Sequence, residues 1–281
     1  MTEDIRHTVT DVSGEMKIRD YLKKRLGFST SLIAKVKYDN VMFNGTPVHM
    51  RALVRNGDLI EVRLPIEASE GIEPIAIDLD VLYEDGDIIA VNKPSNMPVH
   101  PSKGNSLPTL ANAIAAYING PFVFRAVNRL DRDTSGIVLI AKNQLASARL
   151  ATAMKKGLFR KKYLARVCGA PTPSEGVIDA PIERECDGSM KRIVRPDGKP
   201  CLTKYRVLSV DSEGNALCEI ELLTGRTHQI RVHFAHIGHP LVNDFLYGER
   251  RDGKTYELHC CELSFPHPSR GDVITLRCQP F

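Results

Sequence analysis

Near the start of the chain, Ile18, Tyr21, Leu22 and Arg25 recur at helical spacing, with Lys17, Lys23 and Lys24 on the opposite face. Ser29 or Thr30 can cap a second helix through Leu32, Ile33 and Val36, which also carries Lys35 and Lys37. After a turn at Asp39-Asn40, Val41-Met42-Phe43 alternates as a strand and closes at Asn44-Gly45. A turn at Gly57-Asp58 then leads into Leu59-Ile60-Glu61-Val62. The pattern predicts two short basic helices and a small hairpin sheet.

From residue 80 the periodicity changes. Val81-Leu82-Tyr83 and Ile88-Ile89-Ala90-Val91 flank the polar turn Asp85-Gly86-Asp87 and read as a hairpin. Leu110, Ala113, Ile114 and Tyr117 predict a helix over 109–118, and 144–156 predict another. Phe122–Val127 and Gly136–Ala141 are strand-like and bracket a polar loop. Further strands fall at 161–168, 201–210, 215–223, 256–264 and 272–278, with a helix at 227–237 capped by Thr227. Strands dominate without strict βαβα alternation, so the fold class is α+β with a mixed, mostly antiparallel sheet.

A chain of 281 residues, 42% hydrophobic, can bury a core and divide into one or two domains. Charge locates the division. Residues 16–65 hold ten Lys or Arg against four acids, and residues 66–89 hold eight acids with no Lys or Arg. That reversal marks 66–79 as an acidic linker between a small unit, 12–65, and a larger one, 80–281. The basic unit is either a solvated face or a surface that binds phosphates. No apolar run reaches the roughly 18 residues of a membrane span. Glu3, Asp4 and Asp11, with no apolar stretch behind them, argue against a secretory signal. Seven cysteines without a C-x-x-C pair suit neither a disulfide framework nor a cysteine zinc site, which points to the cytoplasm.

The loop Asn128-Arg129-Leu130-Asp131-Arg132-Asp133-Thr134-Ser135-Gly136 concentrates two carboxylates among arginines. Taken alone it is either a charged surface hairpin or a carboxylate held ionised beside guanidinium groups, with one arginine able to enter a duplex. His228, His233, His236 and His239 crowd together, but their spacings do not copy H-E-x-x-H and no carboxylate falls among them, so no metal is expected. Asp133 and Asp244 read as loop-shaping carboxylates. Lys191, Arg192 and Arg195 decorate a hairpin that either faces RNA or is simply solvated.

Four ordered segments together resemble the RluA family of pseudouridine synthases. They are the 128–136 loop; Gly225-Arg226-Thr227-His228-Gln229-Ile230-Arg231, extended by Gly238-His239-Pro240-Leu241-Val242-Asn243-Asp244 and Tyr247-Gly248; Asp85-Gly86-Asp87 through Lys93-Pro94 and Val99-His100-Pro101; and Lys161-Lys162-Tyr163-Leu164-Ala165. Residues 12–65 resemble the αL RNA-binding domain named after a small-subunit ribosomal protein. Asn128 stands where the family commonly has His, Asn96 where Gly is usual, and Asp39-Asn40 where the αL domain usually has Gly.

The resemblance implies a pseudouridine synthase fold and the isomerisation of uridine to pseudouridine in structured RNA. It implies Asp131 as the catalytic carboxylate, Arg231 as the cation that keeps it ionised in a largely closed pocket, and Tyr163 as the ring stacked on uracil. Arg129, Ile230, Thr134 and Lys161 are the implied substrate contacts, with Arg129 filling the space of the flipped base. No redox change or group transfer occurs, so no cofactor is expected. The expected partner is RNA, ribosomal or transfer, of a monomeric protein that does not touch membranes. Two rival readings are a non-catalytic RNA-binding or ribosome-assembly protein on the same fold and a hydrolase of the glycosidic bond.

Overall fold

A computed structural model describes residues 4–37, 40–64, 71–101, 108–249 and 254–280. The first part of the chain runs β1 (Asp4–Thr8), β2 (Met16–Lys17), α1 (Ile18–Lys24), α2 (Thr30–Val36), β3 (Val41–Phe43), β4 (Thr46–Pro47), β5 (Leu53–Val54) and β6 (Leu59–Arg63). An antiparallel sheet forms in the order β1-β6-β3-β4, and β2 pairs with β5. The β3–β4 turn needs two left-handed residues, which Asn44 (φ 47°) and Gly45 (φ 80°) supply. Ser29, not Thr30, caps α2: its Oγ accepts the Leu32 N–H at 3.1 Å. Ile18, Tyr21 and Leu22 of α1 bury against Leu32, Ile33 and Val36 of α2 and against Ile60 and Val62 of β6. Each fully buried apolar side chain there contributes about 1.5–3 kcal/mol. Asp39 of the expected turn and residues 65–70 of the acidic stretch lie outside the described residues.

The second part runs β7 (Asp80–Glu84), β8 (Ile88–Lys93), α3 (Leu110–Ile118), β9 (Arg125–Ala126), β10 (Ser135–Ala141), α4 (Gln144–Lys155), β11 (Arg160–Val167), β12 (Glu175–Asp179), β13 (Ile182–Arg184), β14 (Arg192–Val194), β15 (Leu202–Val210), β16 (Ala216–Leu222), α5 (Gln229–His236), β17 (Leu258–Pro266) and β18 (Val273–Arg277). Its sheet is ordered β12-β15-β16-β11-β17-β10-β8-β7, with β18 on β17 and β9 on β10. The pairings are antiparallel except β10–β17, so the α+β expectation with a mixed, mostly antiparallel sheet holds. Strand β10 reads Ser-Gly-Ile-Val-Leu-Ile-Ala and is buried along its whole length, as a central strand covered on both faces must be. Phe122–Val127 is corrected: only Arg125 and Ala126 pair as a strand, because Phe124 turns inward and packs edge-on against His100 at 4.8 Å.

The two parts have separate cores that meet at α4. Leu145 of α4 joins the core of the first part. Arg149, one turn on, donates from Nε to the Leu26 carbonyl at 2.9 Å and from Nη1 to the Pro268 carbonyl at 3.1 Å. No helix among the described residues is long and apolar enough to cross a membrane.

Candidate active site

The 128–136 loop is fixed at both ends by backbone demands. Asn128 is buried, and its side chain mimics a strand partner: Nδ2 donates to the Ile137 carbonyl at 2.9 Å and Oδ1 accepts the Leu139 N–H at 2.8 Å. That is why an amide serves at this position. At the other end Gly136, at φ 109°, sits where β10 first meets β17, and a Cβ there would collide with the Cys260 backbone. Between them the Thr134 N–H donates to the Asp131 carbonyl at 3.2 Å, and Arg132 binds Asp133 with two 2.8 Å hydrogen bonds.

A second loop is stitched to the first. Lys93, fully buried, donates Nζ to the Pro94 carbonyl at 2.7 Å and the Arg132 carbonyl at 3.0 Å. Met97 N–H also reaches the Arg132 carbonyl at 3.1 Å, and Ser95 Oγ donates to the Asp133 carbonyl at 2.8 Å. Burial pulls the Lys93 pKa down to about 7, against the opposing pull of Asp133 and Asp131. Asn96 takes φ 60° in this loop, a left-handed position that Asn tolerates in place of glycine.

A cleft of about 710 Å³, within the range of ligand sites, opens over this frame. Asp131, Tyr163, Arg231, Arg129, Ile230, Thr134 and Lys161 all line it, although they come from three separate stretches of sequence. Arg129 is exposed, whereas Ile230 (4%), Thr134 (2%) and Tyr163 (5%) are buried in its walls. Burial pushes the Tyr163 phenol well above its ordinary pKa, with nearby Cys260 and Asp131 adding to the effect. The ring is therefore held neutral. Burial lowers the Lys161 pKa.

Arg231 differs from expectation. Its fork is committed to Asp244 through Nε–Oδ2 and Nη2–Oδ1 bonds of 2.7 Å each, with side-chain exposures of 4% and 0%. Its Nη1 reaches Asp131 Oδ2 only at 3.5 Å. The pair expected from the sequence exists as a secondary contact, because a bidentate fork has one best partner and Asp244 occupies it. Burial opposes the Arg231 charge, but the Asp244 hydrogen bonds and the Tyr256, Asp244 and Asp131 charges outweigh it and raise its pKa. Tyr256, Tyr247 and Phe245 surround the guanidinium, their ring centres 4.4, 5.0 and 5.6 Å from Cζ. The Asp131 side chain is 30% exposed, so the pocket is more open than expected.

Thr227 does not cap α5. The helix begins two residues later, at Gln229, whose Oε1 takes the Arg226 N–H at 2.9 Å and the Thr224 hydroxyl at 3.0 Å. These bonds brace the turn ahead of the helix rather than the first N–H groups of the helix itself. Arg231 therefore lies in the first turn of the helix, not the second.

The histidines have separate partners. His233 bonds Thr203 at 2.8 Å and the Ala180 carbonyl at 2.9 Å, and His239 bonds the Cys168 carbonyl at 2.9 Å. His228 alone of these lines the cleft, 2.8 Å from Tyr247 Oη and 3.7 Å from Asp131 Oδ2. On the β13–β14 hairpin, Lys191 meets Glu185 at 3.6 Å and Arg195 meets Asp197 at 2.5 Å. Sequence reasoning missed Lys93 as a stitch, Asp244 as the main partner of Arg231, and Tyr256 altogether. Lys93 and Asp244 stood inside recognised motifs; Tyr256 carried no local signal.

The family of RNA pseudouridylate synthases matches over residues 87–236. The uncharacterised RNA pseudouridine synthase YjbO of Bacillus subtilis is 37% identical over 260 residues, which is 90% of this chain and 91% of its own. The chain belongs to the RNA pseudouridylate synthase family. Ribosomal large subunit pseudouridine synthase D of Haemophilus ducreyi is 38% identical over 85% of this chain and 79% of its own. Human RNA pseudouridylate synthase domain containing 1, a solved structure, superposes with a TM-score of 0.62 at 28% identity, covering 74% of this chain and 86% of its own. The family segment of this synthase runs from the β7–β8 turn to the end of α5 and so contains both Asp131 and Arg231, while Asp244 lies beyond it.

Proposed function

We propose that this synthase isomerises uridines of ribosomal RNA with Asp131 as the catalytic carboxylate. The observation that carries the proposal is the convergence of Asp131, Tyr163, Ile230 and Arg231 on one cleft whose only carboxylate open to a ligand among the lining residues is Asp131. The ribosomal substrate follows from the relatives named for the large subunit, synthase D of Haemophilus ducreyi and of Pasteurella multocida.

The reaction breaks the N1–C1′ bond, turns the uracil in place, forms a C5–C1′ bond and releases the C5 proton. Asp131 acts on the ribose, as nucleophile at C1′ or as base toward a sugar proton. A paired uridine must leave the helix first, at a cost of a few kcal/mol, and exposed Arg129 at the cleft rim takes the vacated space. Tyr163, held neutral by burial, serves as a stacking face rather than as a phenolate base. Ile230 covers the opposite side of the uracil, while Thr134 and Lys161 contact the nucleotide. Residues 12–65 act as an RNA-binding domain of the αL type, with exposed Lys17, Lys23, Lys24 and Arg63 meeting phosphates, joined by the linker 66–79 to the catalytic domain 80–281. The protein works as a monomer in the cytoplasm.

The test is the Asp131→Asn protein, assayed by tritium release from ribosomal RNA labelled at uracil C5. We expect normal folding and RNA binding and no release. Turnover near wild type, or free uracil among the products of the unmodified protein, would defeat the proposal.

A further inference from the structure

Arg231 is a poor orienting partner for Asp131, since its two best donors are taken by Asp244. That leaves the carboxylate with one 3.5 Å contact and 30% exposure. The other group beside it is His228. We infer that His228 is a positioning residue for Asp131, held by Tyr247 in the tautomer whose Nε2–H faces the carboxylate. The inference rests on Asp131 being the reactive carboxylate.

The backbone aims the ring. His228 occupies the residue before α5 with φ 57°, a left-handed conformation uncommon for a side chain of this size. It makes no capping hydrogen bond, and its Nδ1 meets Tyr247 Oη. The strained position instead turns the imidazole away from the helix and into the cleft, where its side chain is 15% exposed.

The tautomer follows from proton counting. Tyr247 Oη accepts the Arg192 N–H at 2.9 Å and lies 2.8 Å from His228 Nδ1. A phenol has a single proton, and donating it to Nδ1 satisfies both groups. A neutral imidazole so engaged carries its own proton on Nε2, 3.7 Å from Asp131 Oδ2. The groups are not yet hydrogen-bonded: catalytic hydrogen bonds are commonly loose before substrate arrives and tighten in the complex, and here the carboxylate and ring must approach by about 0.5–0.8 Å.

The charges around the ring agree. Burial lowers the His228 pKa most; Asp131 and Asp244 oppose the shift, while Arg231 and Arg192 reinforce it. The ring is neutral under physiological conditions. A neutral donor fixes the carboxylate oxygen without cancelling the charge that the reaction uses, which an imidazolium would do. Tyr247 is itself held protonated, its pKa pushed up to about 12, chiefly by burial.

The experiment uses the full-length protein with His228→Leu, His228→Gln and Tyr247→Phe variants, and the tritium-release assay under single-turnover conditions. Gln keeps a donor near the Nε2 position and cannot titrate; Leu keeps the bulk and donates nothing. We expect Leu to lower the rate constant by about 10²-fold, the scale of an ångström-sized misplacement, with unchanged RNA affinity. Gln should restore most of the rate and remove the His228 limb from the acid side of the pH profile. Tyr247→Phe should move that limb upward, because an O–H donated to Nδ1 favours the neutral ring. Nitrogen NMR of the unsubstituted protein should show the Nε2–H tautomer at neutral pH, a readout that stands even if a variant fails to fold. A Leu variant as fast as wild type, a Gln variant as slow as Leu, or an Nδ1–H or doubly protonated ring each overturns the inference. If Asp131→Asn is inactive and His228→Leu is unimpaired, only this inference falls; if Asp131→Asn is active, the reading of the whole site falls with it.

Discussion

The charges of the cleft and those of the N-terminal sheet do different work. Around the cleft, Arg231 and Asp244 are 4% and 0% exposed and bound through a fork, and Asp133 is 3% exposed against Arg132. In the N-terminal part, Arg6, Arg19 and Arg55 are 74%, 60% and 72% exposed, and their acidic partners are 20%, 33% and 38% exposed. Exposed pairs are worth about 0–1 kcal/mol, whereas breaking a buried pair costs about 3–5. Buried charge in this chain sets geometry, and surface charge is left for other molecules.

The most severe way to test that contrast is to break one pair of each kind. Asp244→Ala leaves the Arg231 guanidinium buried with only its long contact to Asp131. We expect a loss of about 3–5 kcal/mol in urea unfolding, a large share of a typical domain's stability, and no tritium release. Glu15→Ala, which removes the partner of exposed Arg55, should leave urea unfolding and turnover close to wild type, because solvent screens the pair. Equal losses from the two substitutions would erase the distinction.

A smaller effect separates charge from shape within the cleft frame. Lys93→Met deprives the Pro94 carbonyl of its Nζ donor, while the Arg132 carbonyl keeps the Met97 N–H. The unmet acceptor should cost about 1–3 kcal/mol and loosen the Asp131 loop, lowering turnover more than RNA affinity. The pH dependence has a definite sign. A lysine whose folded pKa, about 7, lies below its ordinary 10.5 favours the native state once neutral. That contribution is complete above 10.5 and fades as pH falls to about 7. Wild type should therefore gain stability relative to Lys93→Met between pH 7 and 10. A constant difference across that window would mean that the ammonium keeps its proton.

Legibility in the sequence followed the range of the interactions. The helices α1 and α2, the Asn44-Gly45 hairpin and the β7–β8 hairpin are local, and periodicity with turn chemistry revealed them. The Asp131 loop was legible because its chemistry is packed into nine residues. The junction of Gly136 with Cys260 was not, since 124 positions separate them and no period encodes a parallel contact. Arg231 was found and its ion pair with Asp131 is present at 3.5 Å, but the fork's main partner, Asp244, was not foreseen, because only packing decides which carboxylate the fork meets. The Thr227 cap failed because Thr227 and His228 form a turn ahead of the helix, which puts His228, not Thr227, at the residue before α5. Asn128 and Asn96 looked like departures; one supplies two backbone-like hydrogen bonds and the other a left-handed turn.

The smallest expected effect lies in the N-terminal part, and it sharpens the contrast from the other side. Deleting residues 1–65 is a blunt tool, since it would uncover Leu145 and strip Arg149 of the Leu26 carbonyl. Lys23→Ala with Lys24→Ala is cleaner. Both side chains are exposed in the last turn of α1, on the face away from Tyr21 and Leu22. They also favour the negative end of the helix dipole, so their loss should cost a few tenths to about 1 kcal/mol. That is too little to unfold the domain. If each lysine meets a phosphate, the slope of log affinity against log salt should fall by about 0.9 per lysine on duplex RNA and about 0.7 on single strands. Turnover of a short saturating substrate should not change, because neither residue is near the cleft. Filter binding across a salt series measures the slope directly. An unchanged slope would show that this basic face does not touch RNA, and the surface charge of the N-terminal sheet would then need another explanation.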